Sequence, residues 1–293
     1  MLLLTTQSRL SEATLISNEI GVNLMIKSET NAEYHSSEPL SKSRLFEMRK
    51  SPQWFRYCED HPQGKTPSML LGSVFHTLVL EPHRFEHEYV LIPNVDRRTK
   101  DGKMLWDTAM SEAETKEIVP QEVYDTASAM AEAVRNNKIA NYLSKGEVEQ
   151  SYYTTDAMTG VEYKVRPDVF KMVGERGLIV DFKSTSDAST DAFRRDAIKY
   201  GYDLQSAMYT AAVQAERGVP CDFVFVAVEK DPPYMINVMQ CDPLWITRGT
   251  DLFREYIGLY KECMTTGNWF GLNGSMDMIN NLALPSYLAK EIE

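Results

Sequence analysis

Cysteine is scarce in these 293 residues: Cys58, Cys221, Cys241 and Cys263 are widely spaced and include no C-x-x-C pair. A disulfide-stapled miniprotein is thereby excluded. With 15 Gly and 13 Pro the chain lacks the bias of collagen or of low-complexity disorder. Apolar runs are short as well. Those around Met69 to Leu80 and Leu178 to Val180 fall well below the roughly 20 residues that span a bilayer. Basic charge is also in deficit, 31 Lys and Arg against 42 Asp and Glu, for a net charge of −11. Because phosphate contacts draw on Lys and Arg clusters, a general polyanion-binding surface is disfavoured and any nucleic-acid site must be local. Acidic groups can still gather where a divalent cation neutralises them. No basic flank, apolar core and cleavage site open the chain, so a reducing, cytoplasmic setting is expected.

What remains is the composition of a soluble globular protein, 43% hydrophobic and 25% charged, long enough for one large or two ordinary domains. Residues 1–30 are polar and aperiodic, which predicts a loosely ordered arm ahead of a single domain over 31–293. Ser41 to Lys50 reads as a short helix interrupted by Ser51-Pro52. Thr66-Pro67 is a helix start and Pro82 a stop, enclosing a segment apolar nearly all round that predicts a buried helix. Residues 93–120 are polar and predict a mobile loop, followed by a helix over about 121–137. Strands are expected at 149–155, 161–170 and 178–183 as a meander, then a helix over 191–217 ending at Gly218. Two more strands at 223–229 and 235–241 and a final helix over 243–265 complete the pattern.

The chemistry concentrates in Arg166-Pro167-Asp168 and in Leu178-Ile179-Val180-Asp181-Phe182-Lys183. Strand side chains alternate, so Asp181 and Lys183 share one face of a buried strand and Phe182 points to the other. Buried charges cost several kcal/mol unless paired, hydrated or metal-bound. Taken alone, D-x-K also suits an ordinary ion pair. Asp168, in a neighbouring strand, can lie beside Asp181, and two close carboxylates call for a cation such as Mg²⁺ between them.

These residues resemble the P-D…(D/E)-x-K signature of the PD-(D/E)xK nuclease superfamily, here Pro167-Asp168 and Asp181-Phe182-Lys183. Gly72 and His76 are similar to the upstream G-x-x-x-H helix of its RecB and RecE-type branch, and Gln205 with Tyr209 to its Q-x-x-x-Y helix. Gln205 and Tyr209 share one helical face. Ala32-Glu33-Tyr34-His35 and Leu40-Ser41-Lys42-Ser43 look like the start of RecE-type domains. The likeness is to exonuclease VIII-like exodeoxyribonucleases and, more distantly, to lambda exonuclease.

The resemblance implies an α/β fold with a restriction-endonuclease-like core, a central mixed β-sheet flanked by helices. It implies that Asp168, Asp181 and the backbone carbonyl of Phe182 hold Mg²⁺, with Mn²⁺ able to substitute, and that Glu149 and His76 complete the site. Glu147 is a rival to Glu149. Lys183 would act on the nucleophile as a base or a charge stabiliser. Gln205, Tyr209, Arg166, Arg194, Arg195 and Lys199 would bind substrate, although the basic residues read equally as solvated surface. No iron-sulphur cluster is expected, because the cysteines lack the clustered spacing of the members that carry one. The implied activity is Mg-dependent, processive 5′-to-3′ digestion of linear duplex DNA, leaving 3′ overhangs. The implied partners are DNA ends, a RecT-like single-strand annealing recombinase and further copies of the chain, as a homo-oligomer such as a toroidal tetramer, in a phage or prophage system of a bacterial host. The alternatives are a nonprocessive or structure-selective endonuclease and a noncatalytic recombination scaffold.

Overall fold

The computed structural model describes residues 25–62, 64–92, 95–113, 116–274 and 278–284. In chain order the strands are β1 (Met25–Lys27), β2 (Tyr89–Ile92), β3 (Glu117–Pro120), β4 (Glu147–Val148), β5 (Ser151–Thr155), β6 (Glu162–Val165), β7 (Val169–Val173), β8 (Arg176–Thr185), β9 (Cys221–Glu229) and β10 (Ile236–Gln240). The α-helices are α1 (Asn31–Ser36), α2 (Lys42–Phe46), α3 (Pro52–Asp60), α4 (Pro67–Leu80), α5 (Phe85–Glu88), α6 (Lys100–Glu112), α7 (Gln121–Asn136), α8 (Lys138–Leu143), α9 (Thr190–Lys199), α10 (Tyr202–Arg217) and α11 (Pro243–Thr266). No helix among the described residues is long and apolar enough to cross a membrane.

The central sheet runs β10-β9-β8-β7-β4 and is mixed, since β8 and β9 pair parallel and the other neighbours antiparallel. A parallel pair needs a long crossover, which α9 and α10 supply between β8 and β9. Alternation along β8 and β9 then divides two cores. Val180, Phe182, Val224 and Val226 pack with Val74 and Phe75 of α4 and Met130 of α7. On the opposite face Ile179, Phe223 and Phe225 pack with Leu204 and Met208 of α10 and Phe253 of α11. A second sheet, β1-β5-β6, lies beside α1 and α2, and β2 and β3 pair parallel with α6 against them. The fold is α/β with a mixed central sheet between helical layers, as the restriction-endonuclease-like core requires.

Several boundaries follow the expected punctuation. Thr66 accepts a hydrogen bond from the Met69 N–H and Pro67 opens α4, while Ser51-Pro52, expected only to interrupt a helix, also caps and opens α3. Others differ. Of the arm expected over residues 1–30, residues 1–24 lie outside the described residues, and Met25–Lys27 is a strand paired with β5. The expected loop over 93–120 contains α6 and β3. Thr99 caps α6, and Trp106 and Ala109 bury against Val90 and Ile92. The strand expected over 161–170 is two strands in two sheets, β6 and β7, because Pro167 has no N–H to continue a ladder. The expected three-strand meander is therefore a hairpin in each of two sheets. The helix expected over 191–217 is broken at Gly201, whose φ of 67° is left-handed. Finally, α4 is not buried all round: Val74, Phe75 and Val79 are covered, but Gly72 and His76 face a cavity.

Candidate active site

The break between the two sheets makes the site. β7 starts at Val169, paired with Val180, so Asp168 sits one step beyond the ladder. Its Oδ2 accepts the Phe182 N–H at 2.6 Å, replacing the backbone partner that β7 does not provide there. From α4, the His76 Nε2–H donates to the Phe182 carbonyl at 2.8 Å, and its Nδ1 lies 3.4 Å from Asp168 Oδ1. Gly72, one turn earlier, keeps that approach open: a Cβ there would meet only Ser184 Oγ, at 3.8 Å.

Glu149 joins from the link between β4 and β5. Its N–H donates to the Asp168 carbonyl at 3.1 Å, and its carboxylate Oε2 lies 2.7 Å from Arg166 Nε. Its φ is 50°, a left-handed conformation that costs a non-glycine residue about 1 kcal/mol or more and that clusters at functional sites. Glu147, its rival, instead pairs with Arg217. His76, Glu149 and Asp168 each offer a ligand atom, all within 4.8 Å of one another.

The electrostatics of this trio are those of carboxylates short of positive charge. Burial, reinforced by the Asp168 carboxylate, pushes the Glu149 carboxyl up to about 7. Burial also disfavours the His76 imidazolium, but Asp168 outweighs it and lifts His76 to about 9. For Asp168 burial acts upward, and His76, Lys183 and the Phe182 N–H together bring it below its ordinary value. Two carboxylates, one imidazole and an adjacent carbonyl form an oxygen-rich donor set suited to Mg²⁺ or Mn²⁺.

Asp181, also expected to hold the metal, lies beside this trio but outside its cluster of ligand atoms and outside the lining of the cavity. It is 1% exposed, forms an ion pair with Lys183 and accepts a hydrogen bond from Gln205 Nε2. Burial raises its carboxyl, while Asp181 raises Lys183 above its ordinary range against the cost of burial. Lys183 also lies over the Tyr202 ring, 4.8 Å from its centroid. The trio, Lys183, Arg166, Tyr202 and Tyr209 line one cavity of about 450 Å³. Tyr209 is buried in its wall, and burial pushes its hydroxyl well above the ordinary value. Arg166 is 8% exposed and keeps one N–H, Nη1, without a hydrogen-bond partner among the described residues. Arg194, Arg195 and Lys199 stand exposed on α9, outside the lining of this cavity, with Arg194 paired to Asp191. The four cysteines are free thiols.

Three features of the site escaped the motif reading. Arg84 lines the cavity between Glu81 and Glu88, an i−3 and i+4 spacing that signals such pairs on a helical segment. Tyr202 lies between Lys183 and Lys42. Lys42, whose ammonium donates to the Tyr200 carbonyl, is brought down to about 7 by burial and by Lys183. Lys42 lies in the Leu40-Ser41-Lys42-Ser43 stretch noted above, but its place beside Tyr202 comes only from the fold.

Comparison with known proteins agrees with this geometry. The family described as "PDDEXK-like domain of unknown function (DUF3799)" matches residues 41–281. Among solved structures, one from Eubacterium rectale described as "Putative exonuclease" is 12% identical, covers 88% of this chain and 97% of its own, and superposes with a TM-score of 0.59. That likeness shows the fold. A second, described as SSO0001, is 17% identical over 67% of this chain and 88% of its own, with a TM-score of 0.29, and carries no argument. No curated protein matches. A fold of this topology, a site built on Pro167-Asp168 and Asp181-Phe182-Lys183, and a family match over most of the chain lead to one conclusion: the chain belongs to the PDDEXK-like DUF3799 family, within the PD-(D/E)xK nuclease superfamily.

Proposed function

We propose that the chain is a divalent-metal-dependent exodeoxyribonuclease that hydrolyses linear duplex DNA processively from the 5′ side and leaves 3′ single strands for a single-strand-annealing recombinase. The observation that carries this reading is the convergence of His76, Glu149 and Asp168 within 4.8 Å, with Lys183 on the same cavity wall. The exonuclease element is supported by the RecE-type motifs and by the description of the Eubacterium rectale structure. Polarity, processivity, a toroidal homo-oligomer, a RecT-like partner and a phage origin in a bacterial cytoplasm rest on the motif resemblance.

Asp168, Glu149, His76 and the Phe182 carbonyl would hold Mg²⁺ or Mn²⁺, with Asp181 beside them. Such an ion supplies Lewis acidity toward a phosphoryl oxygen, an acidified water and charge neutralisation at the leaving oxygen. The residues themselves do the rest. Gln205 and Lys183 fix the Asp181 carboxylate from two sides, and the Lys183 ammonium, kept protonated by Asp181, would orient the attacking water and stabilise developing negative charge. Arg166 holds Glu149 and has its Nη1–H available for a phosphate oxygen. Tyr202 and Tyr209 offer aromatic walls against which a base can lie.

The test is digestion of end-labelled linear and closed circular duplex, with and without Mg²⁺, by wild type, Asp168→Ala and Lys183→Ala. Metal-dependent release of nucleotides from the 5′ end of linear DNA alone is expected, with each variant slower by about a hundredfold or more. Cleavage of the closed circle would favour the endonuclease. Variants as active as wild type would leave only the scaffold.

A further inference from the structure

On the far side of Tyr202 from the metal-ligand trio lies a smaller recess of about 90 Å³, lined by Ser184, Thr185, Ser186, Phe193, Asp196, Tyr200, Tyr202 and Lys230. Ser184 and Tyr202 line both this recess and the main cavity, so the two are separated by little more than one aromatic side chain. The volume equals that of about three waters at roughly 30 Å³ each, the scale of a phosphate group.

The donors in the recess are unspent. Thr185 Oγ1 is committed to Asp187, donating to its carbonyl at 3.1 Å. By contrast the hydroxyls of Ser184, Ser186 and Tyr200 and the Lys230 ammonium have no hydrogen-bond or ion-pair partner among the described residues. Lys230 is held in place by its backbone, whose N–H donates to the Thr185 carbonyl at 3.0 Å where β8 and β9 end together. Ser184 Oγ lies toward Gly72 of α4, which leaves the recess the Lys230 ammonium and the Ser186 and Tyr200 hydroxyls, a set suited to anionic oxygens. Asp196 is the one carboxylate there. It suits a ligand that carries donors beside its anionic oxygens, as a nucleotide does through its base. The Tyr200 and Tyr202 rings, with centroids 6.0 Å apart and planes at 32°, give such a base a surface.

We propose that this recess seats the phosphate of the nucleotide adjoining the scissile phosphodiester, on Lys230 and Ser186 and with its base against the exposed Tyr200 ring, so that a single strand crosses the Tyr202 ring from one cavity to the other. The inference rests on the nuclease reading above and specifies the strand's path. It also assigns binding to Lys230 in place of Arg194, Arg195 and Lys199, which line neither the catalytic cavity nor this recess.

The experiment measures anisotropy of a labelled single-stranded oligonucleotide in Ca²⁺ across a salt series, and steady-state digestion in Mg²⁺, for wild type, Lys230→Ala, Lys230→Arg and Ser186→Ala. For Lys230→Ala the slope of log K against log salt is expected to fall by about 0.7, the value of one phosphate contact on a single strand. KM should rise about fivefold with kcat little changed, Lys230→Arg should restore both, and Ser186→Ala should raise KM less than Lys230→Ala does. Thermal melting of each variant separates binding from folding. If wild type binds and digests DNA while Lys230→Ala matches it in slope and KM, the recess is not a nucleotide seat and the nuclease reading stands. A wild type that neither binds nor cuts DNA overturns both.

Discussion

Asp156 shows how a single residue ties the second sheet to the helical layer. It lies 4% exposed in the turn after β5, accepts the Thr159 N–H at 2.9 Å and its hydroxyl at 2.8 Å, and forms an ion pair with Arg254 of α11. Burial acts to raise its carboxyl, but Arg254 and Thr159 prevail and hold it below its ordinary value. A depressed folded-state value stabilises above the unfolded value of 3.8 and is lost as pH falls through the folded one. Asp156→Asn should therefore cost about 1–3 kcal/mol at pH 7, and the difference from wild type should shrink steadily as the pH drops below about 4. Urea unfolding at a series of pH values measures it. A penalty that stays constant into acid would show that the carboxylate's charge contributes nothing. Among single residues, Asp168, Asp181 and Lys183 were legible because their spacing is local to two strands, and His76 because a polar ring interrupts an apolar helix. Arg84 could have been found from its flanking glutamates. Lys42, Tyr202 and Lys230 had no such mark, since their roles come from neighbours far away in sequence.

At the scale of elements, α10 and α11 cross unusually closely. A Cβ at Gly249 would lie 2.0 Å from the Asp203 carbonyl oxygen and 2.9 Å from Ala207 Cβ, so the helices touch through the missing side chain. Gly258, farther along α11, has nothing within 4 Å of that position. Gly249→Ala should destabilise by about 2–3 kcal/mol through forced separation. Gly258→Ala should stabilise by about 0.5–1 kcal/mol through helix propensity. Chemical denaturation of the two variants compares them directly, and equal effects would mean that the crossing yields freely. The cap Thr66 and the stop at Gly218 were readable because each carries its own hydrogen bond or backbone preference, whereas Ser51-Pro52, read as an interruption, also starts α3. The division of 161–170 between two sheets was not, because both pieces have the same two-residue period and only their partners differ. Likewise α6 was hidden in a polar stretch: Met104, Leu105 and Met110 stay exposed, and only Trp106 and Ala109 become a buried face once β2 is there to receive them.

For the whole molecule, the net charge of −11 and a cavity with mixed charge go together. Long-range attraction to a polyanion is weak, so the proposed processivity would draw on enclosure rather than on charge. The proposed ring supplies that enclosure. Sedimentation at working concentration should give an assembly several times the 33.4 kDa chain, and the length digested per encounter should fall when dilution dissociates it. A species of one chain mass at every concentration would remove the ring. The architecture as a class was legible through the motif resemblance, which implied an α/β fold with a restriction-endonuclease-like core. The relation between its two principal sheets was not, as no local pattern encodes which layer a strand will join.

The tripeptide Arg166-Pro167-Asp168 spans that junction, and its position has a mechanical meaning. Arg166 grips Glu149 as it leaves β6, and Asp168 clasps the Phe182 amide as it reaches β7. Tyr152, Tyr163 and Val165 of the second sheet share one hydrophobic interior with Phe170, Ile179 and Phe223 of the central sheet, so any shift that drew the acidic groups out of alignment would also open that interior. Chemical competence and the seam between the sheets are thus surrendered together.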